Sequence, residues 1–188
     1  MKLNLLLLVV AIVSCSTLNQ PKAPEVLPGG IVESSSVTKS PLFEVDKSAS
    51  ASYKNTLEDI SNRANCLVSD PVFLAEIEAH SKPFTMTSDT PLIVANKLRQ
   101  ATAVAFVSTY YKRLTSVVAY RMPSGNTIFY NTKSINSRSV RDNVATAIHE
   151  YLHILGYTHG TVITSTDLAG VNYTVGEIAA KSKSNCLN

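Results

Sequence analysis

The chain has 188 residues and a formal net charge of +3 at pH 7. Charged residues make up only 16% of it, too few and too scattered for the dense basic surface of a nucleic-acid-binding protein. The length suits one compact domain with a single core, and the sequence contains no internal repeat. We therefore expect a monomer that has no nucleic-acid partner.

The N-terminus has the pattern of an export signal. An uncharged apolar run at 5–13 is too short to span a bilayer but fits the central region of a secretion signal. It ends in Ile-Val-Ser-Cys, which resembles a bacterial lipobox, where the bond before the cysteine is cut and the cysteine is lipidated. We predict a signal peptide at 1–14, lipidation of Cys15 and a membrane anchor, with Ser16 fitting an outer-membrane or periplasm-facing lipoprotein. Cleavage without lipidation, giving a secreted protein, is the alternative.

The next segment has the composition of a linker. It is rich in serine and proline, poor in aromatic residues, and contains Pro28-Gly29-Gly30 and a serine run at 34–36. Such segments behave as flexible chains without a core. We therefore predict a tether at 15–52 and a folded domain at 53–188.

The domain begins with helices and continues with strands. Helical patterns cover 55–65, 71–81 and about 90–99, the last two opening with a capping residue followed by proline. Three later segments are rich in β-branched and aromatic residues, as strands are. These are Val104–Tyr110, Ser116–Met122 and Thr127–Asn131, the last two joined by a turn. The order predicts an α+β fold with a twisted, mainly antiparallel-edged sheet.

A final long helix is predicted between Ser139 and Gly156. Ser139 and Asp142 have the spacing of a capping box, and Gly156 fits the residue just past a helix C-terminus. Apolar residues recur on one side at helical spacing. They are Val144, Ile148, Tyr151, Leu152 and Leu155. The opposite side is left for a different role.

That opposite side carries the most informative motif, H-E-x-x-H-x-x-G-x-x-H. His149 and His153 are four residues apart, so their imidazoles project from one helix face. A left-handed turn at Gly156 can bring His159 towards them as a third nitrogen ligand. Three protein ligands leave one position of a tetrahedral zinc for water, as in catalytic sites. Glu150 is placed to take a proton from that water. We predict Zn²⁺ as the cofactor.

The motif resembles that of the metzincin metallopeptidases. In that family a twisted sheet lies over the active-site helix, and the edge strand before the helix pairs with an extended peptide substrate. The resemblance implies that Thr127–Asn131 is this edge strand and that a polypeptide binds along it.

One family feature is missing downstream of the motif. Metzincins place a methionine in a tight turn below the zinc, often followed two residues later by a tyrosine. The methionines here are Met1, Met86 and Met122, so none follows the third histidine. The resemblance assigns the turn to Gly170–Tyr173, with Val171 in the methionine position and Tyr173 as a residue that contacts the metal or the transition state. The chain therefore resembles a minimal, divergent metzincin.

Two other third ligands are compatible with the spacing. Thermolysin-like enzymes add a downstream glutamate to H-E-x-x-H, and Glu177 lies at a workable separation. Asp167 is the corresponding aspartate. Neither explains the positions of Gly156 and His159, so His159 is the preferred ligand.

The cysteines also point to export. Apart from Cys15, the chain has Cys66 and Cys186, an even pair suited to one disulfide in an oxidising compartment. Alternatively, Cys66 is a free thiol that blocks the metal, as in some metzincin zymogens, but Cys186 is then left over.

These features predict a zinc endopeptidase with Glu150 as general base and His149, His153 and His159 as ligands. Two alternatives remain. One is a zinc hydrolase that cleaves peptide amides of the cell wall. The other is a non-catalytic surface lipoprotein that zinc stabilises.

Overall fold

The computed structural model describes residues 40–123, 125–160 and 163–188. The predicted signal peptide (1–14), the lipidation site Cys15 and the tether as far as residue 39 lie outside these ranges. Within them, no helix has both the length and the apolar character needed to cross a bilayer.

The described residues form seven α-helices. They are α1 (Lys54–Ser69), α2 (Pro71–Glu78), α3 (Pro91–Gln100), α4 (Thr132–Ile135), α5 (Val140–Ile154), α6 (Ser165–Leu168) and α7 (Val171–Lys181). Short 3₁₀ helices lie at Ala51–Tyr53 and Asn185–Leu187. The predicted starts of α2, α3 and α5 are correct because their capping residues Asp70, Thr90 and Ser139 are correctly identified. Asp70 accepts a hydrogen bond from the backbone of Val72, and Thr90 accepts one from Ile93.

Four strands form one mixed sheet in the order β1-β2-β4-β3. Their bounds are β1 (Phe43–Val45), β2 (Ala105–Tyr110), β3 (Ala119–Arg121) and β4 (Thr127–Asn131). β2 runs parallel to both β1 and β4, and only β3 and β4 form an antiparallel pair. The α+β prediction is therefore correct. The sheet has an antiparallel edge, as expected, but most of its pairings are parallel.

The prediction that Thr127–Asn131 is an edge strand is wrong. β4 pairs with β2 on one side and with β3 on the other, so the edge strands are β1 and β3. The helix-facing residues of β4, Ile128 and Tyr130, have no exposed surface, as expected of an interior strand. Chain order identifies the strand that precedes α5 but not which neighbours it acquires, because the β3–β4 hairpin can turn to either side.

The folded body begins before the predicted boundary at residue 53. Leu42 and Phe43 are both 2% exposed, and β1 pairs with β2. The Asn65 side chain accepts hydrogen bonds from the backbone N–H groups of both residues, at 2.8 and 2.9 Å, and donates one to the Phe43 carbonyl. Asn65 belongs to α1, so this helix provides hydrogen-bond partners for the backbone on the outer edge of β1 and allows the segment to be buried. A strand of three residues is too short to produce a recognisable alternation.

Helix α5 is fixed by contacts on several sides. The predicted apolar stripe is buried, apart from a partly buried Leu155. The Tyr151 hydroxyl donates to the Ala103 carbonyl at 2.7 Å, and its ring lies 4.9 Å from that of Phe43. The Tyr130 hydroxyl donates to the Asn143 carbonyl at 2.6 Å. Both ends of the helix are therefore tied to the sheet layer, which holds the motif in place.

The sulfur atoms of Cys66 and Cys186 lie at bonding distance, with 5.6 Å between the Cα atoms. This is the pair named from the sequence, and it leaves no free thiol at Cys66 to block a metal. The bond joins α1 to the C-terminal 3₁₀ helix across a sequence separation of 120. Arg63 adds a second link by donating to the Asn188 carbonyl at 2.6 Å.

Removing this disulfide is expected to lower the free energy of unfolding by roughly 2–5 kcal/mol, because the unfolded chain regains the entropy of a long open loop. Denaturant unfolding of wild type and of Cys66→Ala/Cys186→Ala measures the difference. Dithiothreitol serves as the control, since it should destabilise wild type and leave the double variant unchanged. Equal midpoints for the two proteins under oxidising conditions would contradict the expectation.

Candidate metal centre

The three histidines of the motif converge on one point. The Nε2 atom of His159 lies 3.1 Å from Nε2 of His149 and 3.1 Å from Nε2 of His153. Side chains from a helix and from the loop after it therefore aim the same ring atom at a shared position. Among the described residues this is the cluster of potential ligands with the spacing to hold a metal ion. These three histidines can bind one metal.

The opposite ring nitrogens are held by backbone carbonyls. Nδ1 of His153 lies 2.8 Å from the Tyr157 carbonyl oxygen, and Nδ1 of His159 lies 2.8 Å from that of Gly160. A carbonyl can only accept, so Nδ1 carries the proton and the Nε2 lone pair faces the shared point. His149 has a backbone hydrogen bond with Asn172. The surroundings thus select the tautomer that a metal requires.

Burial keeps two of these imidazoles neutral. Burial, together with the charges of the other two histidines, lowers the pKa of His149 to about 3. Burial also lowers the pKa of His153, against the opposing effect of its bond to Tyr157. A neutral imidazole is the form that binds a metal, so neither residue must lose a proton at neutral pH.

The turn after α5 depends on the conformation of Gly156. Its φ is +96°, in the left-handed region that favours glycine. A Cβ at this position would meet no atom within 4 Å, so the requirement comes from the backbone conformation rather than from crowding. The Tyr157 N–H then donates to the Leu152 carbonyl at 3.0 Å, which directs the chain back towards the helix. This turn returns His159 to the motif face.

Asp167 supports the loop that carries the third histidine. Its carboxylate accepts a hydrogen bond from the Gly160 N–H at 2.6 Å, and from the N–H and hydroxyl of Thr164 at 2.8 and 2.5 Å. These bonds lower its pKa to about 2, the Thr164 hydroxyl contributing most. Since the Gly160 carbonyl holds the His159 ring, Asp167 orients this ligand through one residue.

Replacing Asp167 by asparagine is therefore expected to weaken metal binding about 10-fold, at the lower end of the effect of outer-shell partners. The amide nitrogen cannot accept a hydrogen bond, so one anchor of the loop is lost. Competition with a chelator measures the change in affinity. Asp46→Asn is the matched control, because Asp46 also accepts from an N–H and a hydroxyl, both of Ser48, but outside the cluster. Equal affinities for the two variants would remove Asp167 from this role.

Neither alternative third ligand joins the cluster. Glu177 forms an ion pair with Lys181, and its side chain is 65% exposed. Both carboxylate oxygens of Asp167 accept hydrogen bonds from the loop residues Gly160 and Thr164. Of the three candidates for this position, only His159 meets His149 and His153.

Glu150, the residue after the first ligand, is buried within α5 at 7% exposure. Burial raises its pKa to about 7, while a backbone hydrogen bond from Arg121 and the charge of that residue oppose the rise. Because Arg121 belongs to β3, the carboxylate lies where α5 meets the edge strand. A buried carboxylate poised near neutrality can both accept and release a proton.

Tyr173 packs directly against the histidines. Its ring centroid is 4.6 Å from that of His149 and 4.9 Å from that of His159. However, Gly170–Tyr173, which the resemblance assigns to a tight turn, form the N-cap and first turn of α7. Val171 is buried at 2% exposure. The sequence thus singles out a tyrosine that contacts two of the converging histidines, but not its secondary structure.

Two supporting residues escape prediction from the sequence. The Asn172 amide, 1% exposed, donates to the His149 carbonyl at 3.1 Å. Asp89 accepts a hydrogen bond from the Tyr157 hydroxyl at 2.7 Å and pairs with Lys97. Asn172 stands beside the predicted Tyr173, but Asp89 has no motif to mark it and precedes its partner by 68 positions.

His80, the remaining histidine, stacks on Phe84 with 5.3 Å between ring centroids and lies outside the cluster, as expected.

The chain matches none of the protein-family models, curated proteins or solved structures with which it was compared.

Proposed function

We propose that this protein is a zinc-dependent endopeptidase. The observation that carries the proposal is the convergence of three histidine Nε2 atoms beside a buried glutamate. A structural zinc is normally closed by a fourth protein ligand, whereas a catalytic zinc keeps that position for water. Among the described residues no fourth histidine, cysteine or carboxylate joins the three. The donor set therefore favours catalysis over a purely stabilising metal.

The residues fit zinc in particular. His149, His153 and His159 would hold it through nitrogen, the donor of many catalytic zinc sites. When bound in such a site, zinc lowers the pKa of a coordinated water to about 7 and polarises a carbonyl group.

Glu150 is the proposed general base. In peptide hydrolysis it takes a proton from the attacking water and delivers it to the nitrogen of the departing amine. Its bond from Arg121 fixes the carboxylate beside the edge strand, where the scissile peptide would lie. The same residue therefore serves both halves of the reaction.

We propose that the polypeptide substrate binds in extended form along β3, rather than along β4 as the sequence prediction had it. The Val118 carbonyl accepts from the Asn131 N–H, so in the alternating pattern of an antiparallel pair Ala119 directs its N–H and C=O away from β4. Arg121 points the same way, and its N–H reaches Glu150. A peptide that pairs with Ala119 would place its backbone next to the proposed base.

Tyr173 is proposed to donate a hydrogen bond to the oxyanion that forms during hydrolysis. Replacing it by phenylalanine is then expected to reduce kcat about 10- to 100-fold with little change in KM, because the bond forms only in the transition state. Steady-state kinetics on one peptide measures both constants. Tyr111→Phe is the control, since Tyr111 is 68% exposed on the loop after β2. An unchanged kcat would remove Tyr173 from the mechanism.

An unbiased peptide library tests the function itself. The zinc-loaded protein should cleave a subset of peptides, the chelated protein should cleave none, and added zinc should restore the same cleavage pattern. A purified cell-wall digest, assayed in parallel, separates the related hydrolase of wall peptides. No cleavage of either substrate at full zinc occupancy would contradict the proposal and favour a non-catalytic lipoprotein.

We further propose that the domain acts outside the cytoplasm, anchored through Cys15. The paired Cys66 and Cys186 support export, because such bonds persist in oxidising compartments. Mass spectrometry of the mature protein from a bacterial host would detect a lipidated Cys15 at its new N-terminus.

A further inference from the structure

The face of the sheet opposite the helices carries an aromatic cluster. Phe106, Tyr110, Tyr120 and Phe129 alternate with residues that point into the core, so they share this outer face. Tyr120 lies between two of the others, with centroid distances of 4.9 Å to Tyr110 and 5.4 Å to Phe129. Phe106 is 40% exposed and Tyr120 37%. We call these four residues the aromatic face.

A projecting loop, residues 111–118, continues the aromatic face. Tyr111 is 68% exposed, Leu114 91% and Val117 45%. The Tyr110 hydroxyl donates to the Val117 carbonyl at 3.0 Å, which joins the loop to the aromatic face. An isolated exposed leucine is ordinary, but here a large apolar side chain stands at the end of a continuous apolar surface.

The base of the loop is fixed from below by a buried amide. Asn131, with no exposed surface, donates to the carbonyls of Lys112 and Val117 at 3.0 and 3.4 Å and accepts from the Lys112 N–H at 3.4 Å. The Lys133 ammonium adds a bond to the Arg113 carbonyl at 3.1 Å. The loop is thus held in a conformation that keeps Leu114 in solvent instead of folding it into the core.

The stretch of chain that carries the projecting loop is basic, and the acid that borders the aromatic face is Glu44, which lies beside Phe106. Residues 90–141 contain no aspartate or glutamate but eight cations: Lys97, Arg99, Lys112, Arg113, Arg121, Lys133, Arg138 and Arg141. Three of them, Lys112, Arg113 and Lys133, are exposed at the projecting loop. Arg138 and Arg141 instead bond to Thr146 and to the Ser182 carbonyl. Cations therefore flank Leu114 on the projecting loop without a compensating acid from this stretch of chain.

We propose that the projecting loop and the aromatic face dock onto an anionic lipid surface. Leu114 and Tyr111 would enter the interface between headgroups and acyl chains, where tyrosine is favoured, while Lys112, Arg113 and Lys133 contact lipid phosphates. A soluble acidic peptide would match the charge, but it offers no apolar interior for the side chain of Leu114, which is 91% exposed. α5 contacts β3 and β4 from the other face, so docking would not cover the histidines. The proposal does not depend on peptidase activity.

The absence of tryptophan from the chain allows a site-specific test. In the full-length protein, Leu114→Trp places the single tryptophan on the projecting loop. A membrane contact made only by the N-terminal segment would therefore leave its fluorescence unchanged. Vesicles of phosphatidylglycerol mixed with phosphatidylcholine should shift its emission to the blue, and brominated acyl chains should quench it. Leu92→Trp, at a leucine 54% exposed on α3, is the matched control and should show neither effect.

Charge dependence completes the test. Adding Lys112→Glu and Arg113→Glu to Leu114→Trp should reduce the response to anionic vesicles about 10-fold or more, as should high salt. Three results would overturn the proposal. They are no blue shift of Trp at 114, an equal shift with vesicles of phosphatidylcholine alone, or a shift with soluble polyglutamate but not with vesicles. Circular dichroism confirms that each variant is folded.

Discussion

Replacing Glu150 by glutamine is expected to lower peptide hydrolysis about 10²- to 10⁴-fold, the usual contribution of a general base. The side chain keeps its size and can still accept the backbone hydrogen bond of Arg121, but it can no longer take a proton from water. Metal content should stay at the wild-type level because Glu150 is not one of the three converging residues. The measurement pairs the initial rate on a cleaved peptide with the zinc content of the same sample.

The control for this variant is Glu177→Gln. Glu177 is a glutamate of the same domain, exposed and paired with Lys181, so its replacement should change neither rate nor metal content. A Glu150→Gln protein that retains full zinc and full activity would assign the chemistry to another group. A protein that loses zinc along with activity would instead show that Glu150 supports the metal position.

The contrast between the two halves of the site shows which features a sequence can reveal. His149, Glu150 and His153 are predictable because they lie on one helix, where spacing alone determines direction. His159 is predictable because Gly156 marks a backbone conformation that other residues avoid, and its φ of +96° bears this out. Local geometry therefore predicts almost completely which histidines converge.

The supporting residues cannot be predicted from local geometry. Asp89 meets Tyr157 across 68 positions, and Asn65 covers the outer edge of β1 across 22 positions. Such partners depend on how helices pack on the sheet, which no short window of sequence encodes. The wrong assignment of Thr127–Asn131 as an edge strand has the same origin. The composition of β4 fits an edge strand as well as an interior strand, and only its pairing with both β2 and β3 shows that it is interior.

Replacing His159 by alanine is expected to weaken zinc binding about 100-fold or more, beyond the loss caused by a single outer-shell partner. Two ligands would remain on α5, and their convergence with a third nitrogen at 3.1 Å would be lost. The fold should survive, because His159 lies on the loop after α5 rather than in the core. Competition with a chelator of known affinity measures binding, and circular dichroism checks the fold.

Cobalt substitution adds a direct view of the ligand set. Wild type loaded with Co²⁺ should show the intense visible absorption of a four-coordinate site, and His159→Ala should lose it. Glu177→Ala, the control, should keep both the spectrum and the affinity, because the Glu177 carboxylate lies outside the cluster. The reverse pattern, with zinc retained by His159→Ala and lost by Glu177→Ala, would replace the three-histidine site by a thermolysin-like one. Gly156 and the loop bonds of Asp167 would then have no part in holding the metal, although both serve to bring His159 back to the helix.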